Sequence, residues 1–276
     1  MSDVIGSTAR IVGGLKASHG RVSASSRLVP EEVPIAFSYA GSTHAVMMAT
    51  PDDLEDFAVG FSLAEGIIRS ADEVIAVDPV EAAGGIDLQV VLKQMTAEAL
   101  VARRRRMAGP VGCGLCGIES IEQATRAITP IADAGLRLTP REIADAMALL
   151  GAAQDLNRQT RAVHGAGLYL PGEGLVAIRE DVGRHNALDK LVGAALLGGW
   201  DAARGAVVVT SRLSVEMVQK AAVLGAPVLI AISAPTALAI RMAGEAGITL
   251  IGIARDEEFE IFTRPERVTE GVFAHV

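Results

Sequence analysis

The sequence has few aromatic residues, few cysteines and a deficit of basic side chains. Phe, Trp and Tyr make up 3% of its 276 residues, whereas hydrophobic residues make up 50%, which predicts a core built from Ala, Val, Ile and Leu. Lys and Arg number 25 against 33 Asp and Glu, and the net charge is −8. This balance argues against a nucleic-acid-binding protein, which needs a basic surface to displace counterions.

The sequence also shows no pattern typical of a targeting segment or a membrane span. The start MSDVIGSTARIVGG lacks the basic stretch and apolar run of a signal peptide. No window approaches the roughly 20 uninterrupted apolar residues of a membrane helix. We therefore expect a cytoplasmic protein without a membrane partner, in a reducing compartment that disfavours structural disulfides.

The chain divides into three predicted parts. Residues 1–28 are rich in Ser and Gly and predict a polar flexible tail. Residues 29–134 predict a smaller N-terminal α+β subdomain, in which Thr50 is expected to cap a helix. Residues 135–276 predict a C-terminal α/β domain that binds a cofactor, and a T-P-x-E capping signal at Thr139 opens its first helix.

The last third alternates buried strands with helices. GAVVVT, APVLIAIS and ITLIGIA are apolar and β-branched, and SVEMVQKAAVLG and PTALAIRMAGEAG separate them. This β-α-β-α-β order predicts an α/β fold with a parallel sheet and helices on both faces. Such sheets bind ligands at the carboxyl ends of their strands, where helix N-termini suit phosphate. The polar residues that follow the three strands are Thr210, Ser211, Arg212, Ser233, Thr236, Arg255 and Asp256.

Both cysteines lie in one glycine-rich stretch, GPVGCGLCG, at residues 109–117. Cys113 and Cys116 are compatible with half of a zinc site, with a dithiol redox centre, with a nucleophilic thiolate, or with an inert buried pair. No second pair of ligands at zinc spacing occurs, and nothing upstream predicts a thioredoxin-like unit. The glycines and the helix expected to follow favour an exposed thiol of lowered pKa.

Residues 178–190, IREDVGRHNALDK, are the second polar cluster. Their side chains, including His185, are candidates for the rim of a pocket. The alternative is a solvated helix start with an intrahelical pair between His185 and Asp189. The basic run Arg103 to Arg106 predicts an exposed helix end, or a docking point for an anionic ligand or an acidic partner.

Several of these stretches together resemble one family. GCGLCG, VHGAGLYLPGEGLVAIREDVGRHNALDKLVG, TSRLSVEMVQKAA and SAPTALA closely resemble the formate dehydrogenase accessory sulfurtransferase family (FdhD), and the likeness extends over residues 31–268. A C-x-x-C motif alone has little specificity, but beside REDVGRHNALDK it is distinctive.

The resemblance implies a sulfur carrier with sulfurtransferase activity. Such proteins take persulfide sulfur from a cysteine desulfurase and deliver it to the molybdenum bis-pterin guanine dinucleotide cofactor, which activates formate dehydrogenase. It also implies a homodimer and a fold similar to that of cytidine deaminases. The persulfide would form on Cys113, with Cys116 assisting. The cofactor-binding residues would be Ile253, Ala254, Arg255, Asp256, Glu257 and Glu258, with Thr210, Ser211 and His185.

Two other functions remain open from the sequence. One is a non-catalytic chaperone that binds the molybdenum cofactor and uses the thiols as passive ligands. The other is a zinc-dependent deaminase, prompted by the implied fold. The deaminase signature pairs H-x-E with a downstream P-C-x-x-C, and this chain contains no H-x-E.

Overall fold

The structure is a computed structural model that describes residues 7–107 and 128–269. Its strands are β1 (Ala9–Ser18), β2 (Arg21–Pro30), β3 (Val33–Tyr39), β4 (Ser42–Ala49), β5 (Val74–Ala82), β6 (Gly85–Leu92), β7 (His164–Leu170), β8 (Gly174–Asp181), β9 (Ala206–Val209), β10 (Val228–Ala231), β11 (Thr249–Arg255) and β12 (Glu258–Thr263). Its helices are α1 (Leu54–Ala64), α2 (Gln94–Met107), α3 (Pro140–Ala153), α4 (Asp155–Thr160), α5 (Arg184–Leu197), α6 (Val215–Leu224) and α7 (Ala237–Ala246).

The larger sheet has six strands in the order β12-β11-β10-β9-β7-β8. Strands β9, β10 and β11 are parallel, as the alternating pattern of the last third predicts. Helices α5, α6 and α7 pack their aliphatic side chains on one face, and α3 packs on the other. The carboxyl ends of the parallel strands therefore share one edge with the N-termini of α6 and α7.

The smaller sheet has four strands in the order β4-β3-β6-β5. Helix α1 covers its inner face, where Phe37 of β3 stacks on Phe61 of α1 with ring centroids 4.0 Å apart. Residues 57–63 of α1 are all buried, because the other side of this helix packs on α5 of the larger sheet.

Two glycines allow the backbones of α1 and α5 to approach closely. A Cβ atom at Gly60 of α1 would lie 1.8 Å from the carbonyl oxygen of Asp189 in α5. A Cβ at Gly193 of α5 would lie 1.9 Å from the carbonyl oxygen of Asp56 in α1. The helix pair that joins the two sheets thus has no room for a side chain at either crossing point.

A β-hairpin occupies most of the region predicted as a polar flexible tail. Strands β1 and β2 pair antiparallel over ten residues each, and His19 and Gly20 form the turn with positive φ angles of 49° and 74°. The prediction of an irregular tail is wrong for these residues. The adjacent pairs Gly13–Gly14 and Ser25–Ser26 interrupt the period-2 pattern, and a His-Gly turn is a weaker hairpin signal than Asn-Gly.

One of the two predicted helix caps is confirmed. Thr139 and Glu142 form a reciprocal capping box at the start of α3. Thr50 is not a cap: α1 begins four residues later, and the N-cap position is held by Asp53. Thr50 is fully buried: its amide donates to Asp181 at the end of β8, and its hydroxyl accepts from the amide of Val182. Its capping pattern is outweighed by these tertiary contacts.

The predicted class, a mixed α/β fold with layered sheets and helices on both faces, is confirmed. The likeness to cytidine deaminases stays a prediction, as does the division at residues 134 and 135. Among the described residues, no helix is both long enough and apolar enough to span a bilayer.

Candidate functional site

The loops that follow β9, β10 and β11 are hydrogen-bonded to one another. The amide of Thr236 donates to the carbonyl of Leu213 at 3.0 Å, and the amide of Ile253 donates to the carbonyl of Ser233 at 3.3 Å. Arg255 Nε donates to the carbonyl of Ile232 at 3.4 Å. The structure thus brings together the three sets of polar residues predicted at this edge, which we call the carboxyl edge.

Thr210 and Ser211 are partly committed to internal contacts. The Thr210 hydroxyl accepts from the amide of Gly165 at 2.9 Å, which fastens the end of β9 to β7. Ser211 is 4% exposed, and its hydroxyl donates to the carbonyl of Arg212 at 3.1 Å. Their hydroxyl groups therefore stabilise the backbone of the carboxyl edge.

The predicted segment from Ile253 to Glu258 comprises the end of β11, a two-residue turn and the first residue of β12. Asp256 and Glu257 form its tip, and Arg255 pairs with Glu258 across it. Ala254 is 3% exposed and packs in the core on the α3 side, so its side chain cannot reach a ligand. The other five residues are exposed.

Helix α5 brings residues of the second polar cluster to the same edge. His185 Nε2 lies 2.5 Å from Glu216 Oε2 in the first turn of α6. One turn further, Lys220 of α6 donates to Asp189 of α5 at 2.5 Å. These two interhelical pairs replace the alternative pair between His185 and Asp189. The two residues on α5 are four positions apart, and so are their two partners on α6.

Burial and charge shift the ionisation of this group. The contact with His185 holds the pKa of Glu216 below its ordinary value. Burial raises the pKa of Asp189, and Lys220 opposes that rise. Burial lowers the pKa of His164, at the start of β7, and the positive charge of Arg184 adds to that effect. Both effects disfavour a proton on His164.

Four polar side-chain atoms at the carboxyl edge are buried without a hydrogen-bond partner among residues 7–107 and 128–269. They are His185 Nε2 and Asp189 Oδ2 of the ion-paired group, Arg184 Nε at the start of α5, and Ser214 Oγ at the N-cap of α6. Neither α5 nor α6 has a side-chain cap, although α7 is capped by Thr236. A guanidinium beside two uncapped helix N-termini is suited to bind an anion such as a phosphate.

Cys113 and Cys116 lie outside the described residues, and so does the helix predicted directly after them. Helix α2, which precedes them in the sequence and carries Arg103 to Arg106, ends at Met107. Within the described ranges, no group of three or more His, Cys, Asp or Glu residues has the arrangement of a metal site.

Sequence reasoning missed Glu216, Lys220 and Ser214. Glu216 and Lys220 are four residues apart in SVEMVQKAAVLG, the same spacing as His185 and Asp189 in the other helix. Matching spacings of charged residues on two helices that flank one strand are a usable signal, because they can pair across a helix–helix contact.

Comparison with known proteins supports the resemblance drawn from the motifs. The FdhD/NarQ family matches residues 30–269. The sulfur carrier protein FdhD of Agrobacterium fabrum is 60% identical over 268 residues, covering 94% of this chain and 99% of that one. Its counterpart in Brucella abortus is 61% identical over 246 residues, covering 89% and 91%. The crystal structure of a formate dehydrogenase accessory protein candidate from Desulfotalea psychrophila is similar with a TM-score of 0.77 at 27% identity, covering 95% of this chain and 100% of the other.

Proposed function

The chain belongs to the FdhD/NarQ family, and on that premise we propose that it is a cytoplasmic sulfur carrier. It accepts sulfane sulfur from a cysteine desulfurase and transfers it to the molybdenum bis-pterin guanine dinucleotide cofactor before formate dehydrogenase receives that cofactor. The protein acts as a homodimer. The observation that carries the proposal is the 60% identity to a sulfur carrier protein across 94% of the chain.

The first step is a thiol–persulfide exchange at Cys113. The Cys113 thiolate attacks the terminal sulfur of the donor persulfide, a new S–S bond forms, and the donor cysteine leaves as a thiolate. Delivery as sulfide requires two electrons. Cys116 supplies them by attacking the Cys113 sulfur, which closes a disulfide between the two residues and releases sulfide toward the molybdenum. A cellular reductant then reopens the disulfide.

The carboxyl edge supports the second half of this proposal. The cargo is a dinucleotide with pyrophosphate groups, and Arg184 with the uncapped N-termini of α5 and α6 offers positive charge and N–H donors. The exposed acids Asp256, Glu257 and Glu258 would repel a pyrophosphate, so backbone amides and Arg255 must make the contacts at that turn.

Mass spectrometry of the intact protein tests the sulfur-carrying step. After incubation with a cysteine desulfurase and cysteine, the wild type should gain about 32 Da per sulfur atom on Cys113. The matched variant Cys116→Ser should keep that added sulfur, and Cys113→Ser should lose it. A Cys113→Ser protein that still activates formate dehydrogenase in cells would instead identify a cofactor-binding chaperone with passive thiols.

A further inference from the structure

The hairpin of β1 and β2, which we call the arm, makes few contacts with the rest of the described chain. At its base, Arg27 Nη2 donates to the carbonyl of Thr160 in α4 at 2.8 Å. The two ends of the arm are joined by a hydrogen bond from the amide of Glu31 to the carbonyl of Thr8. Beyond this base the arm is exposed along nearly its whole length, with Leu15 at 78% and Ile11 at 75%.

The pairing register gives the arm two chemically different faces. Directly paired residues of antiparallel strands point to the same side. One face is apolar, and its members are Ala9, Ile11, Leu15, Ala17, Val22, Ala24, Leu28 and Pro30. The opposite face is basic, and its charged members are Arg10, Lys16, Arg21 and Arg27. An isolated two-stranded ribbon is marginally stable in water, so an apolar face of this length requires a covering surface.

The described residues leave a second surface uncovered, the outer face of the four-stranded sheet. The register places Val46 and Met48 of β4, Val91 of β6 and Val80 of β5 on this face. Their side chains are 52%, 50%, 43% and 42% exposed, respectively. At the centre of the face, Asp87 Oδ1 is buried with no hydrogen-bond partner in the described part of the chain.

A groove on this outer face continues the same chemistry. It has a volume of about 410 Å³ and lies between the sheet and α2, with Ser38, Thr43, Asp87 and Gln89 among its lining residues. Its apolar walls include Val90, Val91 and Leu92. The apolar face of a ribbon is complementary to such walls.

Charge and area both favour a second copy of this chain as the occupant. The arm holds four of the 25 Lys and Arg residues, and all 33 Asp and Glu residues lie outside it, so the arm and the body attract each other electrostatically. Ten residues per strand make a ribbon about 34 Å long and about 10 Å wide. In a two-fold exchange each protomer gives one such face and receives another, which buries about 700 Å² per protomer, close to the value for a stable interface.

We propose that the arm is a dimerisation element whose apolar face packs on the outer face of the four-stranded sheet of a second copy. This inference rests on the homodimer of the proposed function: each protomer contributes one arm and one sheet, and the basic face of the arm points away from the sheet that its apolar face covers. This interface is separate from the carboxyl edge and from the cysteines, so its test is independent of sulfur transfer.

Two substitutions of equal chemistry on opposite faces of the arm test the proposal in the full-length protein. Leu15→Asp places a charge on the apolar face, and Val12→Asp places the same charge on the basic face. Analytical ultracentrifugation over a concentration series should show a dimer dissociation constant raised about a hundredfold by Leu15→Asp and within threefold of wild type for Val12→Asp.

Hydrogen exchange provides a second readout that loss of the arm's own structure cannot mimic. Peptides covering residues 42–49 and 74–82 should exchange more slowly in the wild-type dimer than in the Leu15→Asp monomer. A Leu15→Asp protein that remains dimeric, or a Val12→Asp protein that dissociates equally, overturns the assignment. The assignment is also overturned if the wild type is monomeric and these peptides become protected only when purified cysteine desulfurase or formate dehydrogenase is added. That result would show that the arm and the sheet bind that partner and not a second copy.

Discussion

Lys190 Nζ lies 2.8 Å from Asp181 Oδ2, and neither side chain has any exposure to solvent. Lys190 also donates to the carbonyl of Thr50 at 2.9 Å, and Asp181 accepts from the amides of Thr50 and Gly183. The pair therefore connects the end of β8 and helix α5 to the segment before α1. It fixes the start of α5, where Arg184 and His185 reach the carboxyl edge.

Removal of the lysine charge should destabilise the protein strongly. In Lys190→Met the Asp181 carboxylate stays buried without its ion pair, which typically costs about 3–5 kcal/mol in the free energy of unfolding. Urea denaturation followed by circular dichroism measures the change. The control is Arg204→Met, which breaks an exposed pair with Glu173 and should cost less than about 1 kcal/mol. Equal losses in the two variants would contradict the structural role given to Lys190.

The crossing of α1 and α5 gives a second stability test. In Gly193→Ala the new Cβ would collide with the Asp56 backbone, so the helices must separate, and we expect a loss of about 2–4 kcal/mol. Gly151→Ala in α3 is the matched control. It lies in open space on an exposed helix surface and should stabilise the protein by about 0.5–1 kcal/mol. Thermal unfolding of both variants should therefore show shifts of opposite sign.

Local patterns in the sequence predicted the elements whose stabilisation is local. The capping box at Thr139 involves residues three apart, and the β-α-β-α-β order of the last third follows from apolar period alone. Thr50 has an equally good capping pattern, but its hydrogen bonds go to Asp181 and Val182, more than 130 residues away. No local rule could have found that competition.

The candidate site divides in the same way. Strand order placed Thr210, Ser211 and Arg255 at one edge, because carboxyl ends of parallel strands must meet there. The partner of His185 depends on how α5 packs on α6. Within α5 alone, Asp189 lies four residues after His185, a spacing that favours an intrahelical pair. Glu216 becomes the partner only because α6 packs beside α5. The arm was missed because its stability depends on pairing and on a covering surface, neither of which the composition of residues 1–28 reveals.

The ionisation of Asp53 predicts a pH-dependent stability. Burial raises its pKa from 3.8 to about 6, and the positive charge of Arg179 opposes the rise. A raised pKa means that the folded state holds its proton more tightly than the unfolded state. The contribution of Asp53 to stability therefore falls as pH rises from about 4 through 6 and stays low above that range.

Replacing this carboxyl with an amide should remove the penalty. Asp53→Asn should stabilise the protein at pH 8 by about 1 kcal/mol, a value reduced for the 30% exposure of the side chain, and should have little effect at pH 4. Asn also tolerates the φ of 52° at this position, and Arg179 keeps Asp56 as a partner at 2.6 Å.

Urea denaturation at the two pH values measures the difference, with the exposed neighbour Asp52→Asn as control. A gain at pH 4 as large as that at pH 8 would show that ionisation is not its cause.

Arg184 should contribute to cofactor binding and not to acceptance of sulfur. Its Nε is buried without a partner beside two uncapped helix N-termini, so a phosphate group would supply the missing acceptor. Guanosine diphosphate represents the nucleotide half of the proposed cargo. Its affinity, measured by calorimetry, should fall about tenfold to a hundredfold in Arg184→Met, since a charge-assisted hydrogen bond contributes about 1.5–3 kcal/mol.

The control variant Arg204→Met should bind guanosine diphosphate as the wild type does, and both variants should form the Cys113 persulfide normally. Unchanged nucleotide affinity in Arg184→Met would place the phosphate site elsewhere, whereas loss of the persulfide would mean that the substitution disturbs the cysteine segment instead.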